Sequence, residues 1–410
     1  MGYLQTHFKR NGIGKGCIML VAKVIYACVK RPFYSVLRLF CRQADPGVIL
    51  FESKPDFSDN ARVLFSYMQE KMPEKYKIVW LVEDPGKYEA YAGKTVTFIR
   101  RTTRYSERYT MRATLAAWRA GTIFFTHSLY QIFYKPQGQR WINLWHGCGY
   151  KAAKGQSEHI CFDYCLVPGK LFIESKAAFF ACEKEKLLTL GYPRYDLLLS
   201  PCDRVRHFLT EKKAQTSTDK VIIWMPTYRK TEDSRFAEHI ELGRYGLQFI
   251  HDRKQMKQLN HWCRQRRILL LIKHHMMETE VVEEQLTCVQ FIQESDLEMA
   301  GIQLYELLGQ TDALVTDYSS VAVDYMLCDK PIAFLLEDYE TYRKNRGFVF
   351  ADPLQYMPGY HVRKAEELLK FLDDIVQESD IYRDMRQSLM NLMHNRTNDY
   401  CGRLLAYLNL

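Results

Sequence analysis

At 410 residues, with hydrophobic side chains at 47% and aromatics at 13%, the chain has the length for two globular domains and a composition that excludes disorder. Its formal net charge of +9 points to anionic partners: a phosphorylated substrate, an acidic membrane surface or nucleic acid. The 12 cysteines are scattered without a Cys-x-x-Cys pair, which excludes common zinc and redox spacings and leaves reduced, mostly buried thiols as the expectation.

The first segment is basic. Lys9, Arg10, Lys15, Lys23, Lys30, Arg31, Arg38 and Arg42 all precede the first acidic residue, Asp45. The apolar pieces between them, GCIMLVA and VIYACV, are interrupted by Lys23. A spanning helix needs about 20 apolar residues, so this segment is too short and too charged to cross a bilayer. Residues 1–45 are expected to form basic amphipathic helices lying on anionic lipid; the plainer alternative is a solvated helix packed on its own protein.

From Val48 the pattern alternates. VILFE reads as a buried strand, DNARVLFSYMQEKM as an amphipathic helix, and YKIVWLVED, TVTFIRR and GTIFFTH as further strands. A basic helix is expected over Tyr105–Arg119. The polar run Cys202–Lys220 suggests a linker over residues 202–219. Alternation then restarts with VIIWMPTYR, a helix around Asp252–Arg266, ILLLIKHH, VQFIQ, ALVTDYSS and PIAFLL, before a helical tail. The expected fold class is α/β, with two Rossmann-like domains facing a cleft. The expected domains are 46–201 and 220–380, with C-terminal helices over 381–410.

In open parallel sheets ligands gather at the carboxyl ends of strands. His146 follows WINLW there, beside Gly147, Gly149, Lys151 and Lys154. A histidine so placed is either a proton acceptor for an alcohol or a hydrogen-bonded structural residue. Arg229, in MPTYR, can grip a phosphate bidentately or form a surface ion pair. Lys273, His274 and His275 close LIKHH, where successive residues face opposite sides and an anion contact fits better than a metal. In ALVTDYSSVAVDYMLC the strand ends at Thr316, and Ser319 and Ser320 open a helix whose amides suit phosphate; Asp317 or Ser319 as an ordinary N-cap uses the same geometry. No P-loop, Gly-x-Gly-x-x-Gly or Asp-x-Asp sequence is present, so diphosphate charge falls to Arg, Lys, His and a helix start.

In this order the motifs resemble the CDP-glycerol glycerophosphotransferase family of teichoic acid primases and polymerases. SDNARVLFSYM, WHG, GYPRYD, MPTYR, KHH, TDYSSVAVDY and KPIAFLLEDYETYRKNRGFVF carry the likeness from about Val48 to Gly359. Cys148-Gly149 stand where the family commonly has Thr-Pro, and Met276 where it has Pro. The resemblance implies a GT-B fold and transfer of glycerol phosphate from CDP-glycerol, with CMP released. The implied acceptor is a lipid-linked (polyprenyl diphosphate) saccharide, at the cytoplasmic face of the plasma membrane. By carry-over, His146 and His275 match the family's two functionally important histidines, taken here as catalytic, and Ser319 and Ser320 match its diphosphate-binding helix start; Thr227, Arg229, Lys273, Thr316, Asp317 and Arg346 are read with them as contacts of the donor phosphates. Gly147, Lys151 and Arg194 fall on the acceptor side. No tightly bound cofactor, metal ligand set or nucleic-acid partner is expected. The alternatives are a CDP-ribitol enzyme, a nucleotide-sugar transferase of capsule synthesis, and a non-catalytic membrane-associated binding protein.

Overall fold

The computed structural model describes residues 36–39, 41–103, 106–127, 134–152, 160–214, 216–226, 245–273 and 286–410. The basic segment expected to lie on membrane, up to residue 35, falls outside the described residues. The described chain forms two compact units. The first runs to His146 and takes in 160–166; the second holds 147–152 and 167–410.

The first unit is built from apolar strand runs. β1 (Asp45–Glu52) buries Val48, Ile49, Leu50 and Phe51 in succession, as a strand covered on both faces must. β2 (Lys77–Val82), β3 (Val96–Arg100), β4 (Ala120–Phe125), β5 (Arg140–Asn143) and β6 (Tyr164–Leu166) complete the parallel set. They lie in the order β3-β2-β1-β4-β5-β6. Helix α1 (Asp59–Lys71) buries Ala61, Leu64, Phe65 and Met68, spaced three to four apart, against the sheet. Phe51 stacks between Trp80 and Phe124, with ring centroids 5.1 and 5.2 Å away, and Phe65 meets it edge-on.

Helix α2 (Met111–Arg119) is shorter than the Tyr105–Arg119 span expected. Thr110 takes the N-cap, its hydroxyl oxygen accepting from the Ala113 amide, and residues 106–109 are extended instead.

The second unit repeats the plan. β7 (Lys220–Met225), β8 (Ile268–Lys273), β9 (Val289–Ile292), β10 (Ala313–Thr316), β11 (Ile332–Leu335) and β12 (Tyr360–Val362) are all parallel, in the order β9-β8-β7-β10-β11-β12. Both sheets thus follow the doubly wound order, in which the first and fourth strands flank the switch point where ligands gather. Helix α3 (Tyr195–Leu199) follows the GYPR turn. Helix α4 (Asp203–Lys213) occupies most of the polar run read as a linker. Its composition is polar, yet Val205, Phe208 and Leu209 make one buried face, so the change of unit comes at Gly147 and Val167 instead. Helix α5 (Arg253–Gln265) opens with a capping box between Asp252 and Gln255. Helices α6 (Ser320–Tyr325), α7 (Tyr339–Asn345), α8 (Ala365–Val376), α9 (Arg383–Met393) and α10 (Tyr400–Tyr407) also belong to the unit, as do the short helices Ile173–Phe180, Glu294–Met299 and Leu304–Gly309. In α9, Arg386 is wholly buried and paired with Asp380 and Asp329.

Candidate functional site

In the first unit the carboxyl ends of β1, β4 and β5 carry the polar groups. β1 ends at Glu52, which receives the Tyr109 hydroxyl and lies 3.4 Å from Arg101 Nη1. Burial pushes this carboxyl up to about 7, against the pull of Tyr109 and Arg101. β4 leads into Thr126 and His127, and β5 into the Leu144-Trp145-His146 turn.

That turn is held in an unusual conformation. Trp145 has φ +52°, a left-handed value costly for a bulky residue. Two asparagines sustain it. Asn60, wholly buried in α1, donates its amide to the carbonyls of Leu144 (3.3 Å) and Trp145 (2.8 Å). Asn143 Oδ1 accepts from the Trp145 amide at 2.8 Å.

The turn delivers an exposed His146. Its Nδ1 lies 3.3 Å from the Thr126 carbonyl oxygen, which can only accept. In the neutral ring Nδ1 therefore carries the hydrogen and Nε2 the basic lone pair, the tautomer a proton acceptor needs. The ring stacks on His127 at a centroid distance of 4.3 Å and an interplanar angle of 10°, and tilts against Trp145 at 4.0 Å. Burial lowers the His127 pKa; Lys54 acts in the same direction and Asp59 against it.

In the second unit the chain from Gly147 onward is laid against the helix start that follows β10. Gly147 has φ +128°, and a Cβ there would fall 2.9 Å from Ser320 Oγ and 3.1 Å from Arg194 Nη2. At Gly149 a Cβ would meet the Ser320 backbone at 3.0 Å. The positive φ at Gly147 favours glycine, and a side chain at Gly149 would need the Ser320 backbone to give by a few tenths of an ångström. Just beyond, Lys151 bridges antiparallel to Phe348, the Ala152 amide donates to the Gly347 carbonyl (3.1 Å), and Val349 donates to Tyr150 (2.8 Å). The Trp-His-Gly loop, the Ser-Ser helix start and the Arg-Gly-Phe segment thus meet along 147–152.

β10 ends at Thr316, whose hydroxyl donates to the Met225 carbonyl (2.7 Å) at the end of β7, the switch point of this sheet. Asp317 is buried, Tyr318 donates to Asp338 (2.9 Å) and rests on Phe348, and Ser319 caps α6, its hydroxyl accepting from the Val321 amide at 3.4 Å. The helix continues beyond Tyr325 as a 3-10 turn, Met326–Cys328.

Other expected residues take more specific places. Arg194, assigned to the acceptor side, belongs to the second unit and is buried. It pairs with Asp324 at 2.5 Å between the rings of Tyr192 and Tyr305, backing the Gly147 turn. Lys273 ends β8 as half of an ion pair with Glu294 (3.1 Å). Arg346 closes α7, its amide donating to Tyr342 (2.8 Å). Cys148 is buried beside the Tyr192 hydroxyl (3.2 Å), and burial raises its thiol pKa, which rules against a nucleophilic role. Thr227, Arg229, His275, His274 and Lys154 lie outside the described residues. No group of three or more His, Cys, Asp or Glu able to hold a metal occurs among the described residues.

Sequence reasoning passed over Asn60, Asn143, His127 and Asp324. Asn60 and His127 stood in stretches already singled out, SDN and the end of GTIFFTH. Asp324 gave no signal beyond being acidic in an otherwise apolar helix.

Two doubly wound parallel sheets with polar groups at their carboxyl ends define the GT-B-like class of α/β proteins. The chain belongs to the CDP-Glycerol:Poly(glycerophosphate) glycerophosphotransferase family, whose model matches residues 34–400, and is an enzyme of that kind. It is 25% identical to a teichoic acid poly(glycerol phosphate) polymerase of Bacillus spizizenii, over 79% of this chain and 82% of that protein. A teichoic acid glycerol-phosphate transferase of Staphylococcus aureus is 24% identical, over 90% and 94% of the two chains. The polymerase of Bacillus subtilis is 27% identical over 92% of this chain but 50% of its own length, so the chain spans about half of that relative. A solved structure of the wall teichoic acid polymerase TagF superposes with TM-score 0.67 at 21% identity, covering 89% of this chain and 88% of that one, and shares the fold.

Proposed function

We propose that the chain transfers glycerol phosphate from CDP-glycerol to a hydroxyl of a lipid-linked acceptor in teichoic acid synthesis. The acceptor oxygen attacks the phosphorus that bears glycerol, its proton passes to His146 Nε2, and the bond to CMP breaks. The amides and hydroxyls at Ser319 and Ser320 offset charge on the donor phosphates, the electrostatic work such transfer mostly requires. Thr227, Arg229 and His275 keep the roles the family likeness assigns, while Lys273 enters as half of an ion pair rather than a bare cation. One observation carries the reading: motifs distant in sequence converge on 147–152, the segment that directly follows His146.

The net charge of +9 and the basic run from Lys9 to Arg42 support work at an anionic membrane surface, on its cytoplasmic face. Among the described residues no helix is long and apolar enough to cross a membrane. A relative in Bacillus spizizenii, 26% identical over 239 residues, is a teichoic acid ribitol-phosphate primase, so CDP-ribitol is the second donor to test.

The test is purified full chain with CDP-glycerol, CDP-ribitol or UDP-sugars over a lipid-linked acceptor in anionic or neutral vesicles, read by product mass and CMP release. CDP-glycerol should be preferred, anionic vesicles should give the faster turnover, and His146→Ala should lower turnover about a hundredfold or more. Transfer from UDP-sugars alone would overturn the donor reading, and near-normal turnover by His146→Ala would overturn the base.

A further inference from the structure

The ring stacked on His146 is not part of the proton path described above, yet its placement is specific. His127 and His146 lie parallel, 4.3 Å apart at 10°. Thr126 ties the two together. Its carbonyl oxygen faces Nδ1 of His146 at 3.3 Å, and its hydroxyl oxygen lies 3.0 Å from Nδ1 of His127. The same hydroxyl oxygen accepts from the Lys54 amide at 3.2 Å, so its own proton is available to His127 Nδ1. That arrangement suits a neutral His127.

Two imidazoles stacked this closely do not both carry charge without strong repulsion. Which of them takes the proton follows from their surroundings. His127 is half-buried, with Lys54 in the loop after β1 disfavouring its charged form and Asp59 at the start of α1 favouring it; desolvation is the largest influence and keeps the ring neutral. His146 is exposed, so its imidazolium keeps access to water. A neutral aromatic face against an imidazolium is attractive, because π density meets the cation.

We propose that His127 is a positioning residue for the transfer: its ring fixes the plane of the His146 imidazole, and its π face supports the charge His146 gains with the acceptor's proton. This rests on His146 being the base. The ring also limits the swing of His146, whose backbone is already set by the strained Trp145 turn. Removing it lowers the basicity of His146, so the neutral, active form persists to lower pH.

The experiment is a kcat–pH profile with saturating CDP-glycerol for His127→Leu, His127→Gln, His127→Phe and His146→Ala, with thermal melting as the folding control. His127→Leu should lower kcat about tenfold, leave the donor KM within about twofold, and move the acid limb down by about half to one pH unit. His127→Gln keeps a polar atom for Thr126 without a ring face and should match His127→Leu. His127→Phe, flat and neutral, should recover kcat to within about threefold and restore the acid limb. If His127→Leu fails to fold, the Gln and Phe variants decide between them. A wild-type profile in the ringless variants, or Phe no better than Gln, overturns the proposal. An active His146→Ala overturns the underlying base reading instead, whatever the His127 variants do.

Discussion

Asn60 holds the turn that presents His146, and its replacement is the sharpest test of how that turn is made. Asn60→Asp is nearly isosteric but replaces a donor amide with an acceptor facing two carbonyl oxygens, those of Leu144 and Trp145. Each lost hydrogen bond is worth about 0.5–1.5 kcal/mol net, and a buried carbonyl left unsatisfied costs about 1–3 kcal/mol. The pair therefore sets a loss of about 2–3 kcal/mol, or roughly 4–12 °C in Tm for a unit of this size. The loss depends on pH. Burial raises the folded pKa of the new carboxyl above its unfolded value of about 3.9, so the variant is least impaired when protonated. Its deficit grows as pH rises through the folded value. Melting should show a smaller deficit near about pH 5 than near about pH 8, and kcat should fall about tenfold or more at the higher pH as Trp145 relaxes from φ +52°. Wild-type Tm and kcat at the higher pH would refute the argument that Asn60 sustains the turn.

Glu52 should make the first unit less stable as pH rises. Its folded pKa is raised from 4.5 to about 7 by burial, so the folded state holds a proton that the unfolded chain releases between those values. Stability should fall across that window by at most about 3 kcal/mol, and Glu52→Gln should flatten the dependence in urea titrations; an unchanged slope would refute it. Gly149→Ala should raise the donor KM several-fold with a smaller effect on kcat, because its Cβ would stand 3.0 Å from the Ser320 backbone and push the helix start aside. An unaltered donor KM would show that the Ser320 start does not bind the donor.

The strands were legible because short apolar runs such as VILFE and ILLLI, rich in β-branched residues or leucine and alternating with amphipathic helices, fit buried parallel strands. The capped helix after Asp252 was legible because its box is local, spanning Asp252 and Gln255. The helix Asp203–Lys213 was not, since its charged face dominates the composition while Val205, Phe208 and Leu209 carry the packing. The same distinction holds at the site. Strand-end residues such as His146, Thr316 and Ser319 announce themselves by position. What holds them does not: Asn60 reaches Trp145 across 85 residues, and Arg194 meets Asp324 across 130. Periodicity carries no information about such pairs.

Two of the positions where the chain departs from its family's wording, Cys148 and Gly149, are accounted for by packing. Cys148 fills a buried space against Tyr192, and at Gly149 a side chain would crowd the Ser320 backbone, 3.0 Å from the added Cβ. A Thr-Pro pair at these positions would place a branched hydroxyl side chain and a ring where this structure has a thiol and close backbone contact. The exchange therefore does not mark a loop released from constraint. It trades side-chain bulk for direct apposition of the loop backbone and the helix start, with Arg194 and Asp324 buried behind Gly147 to hold that register. The close approach thus constrains the helix start assigned to the donor phosphates from the side of the Gly147–Gly149 backbone.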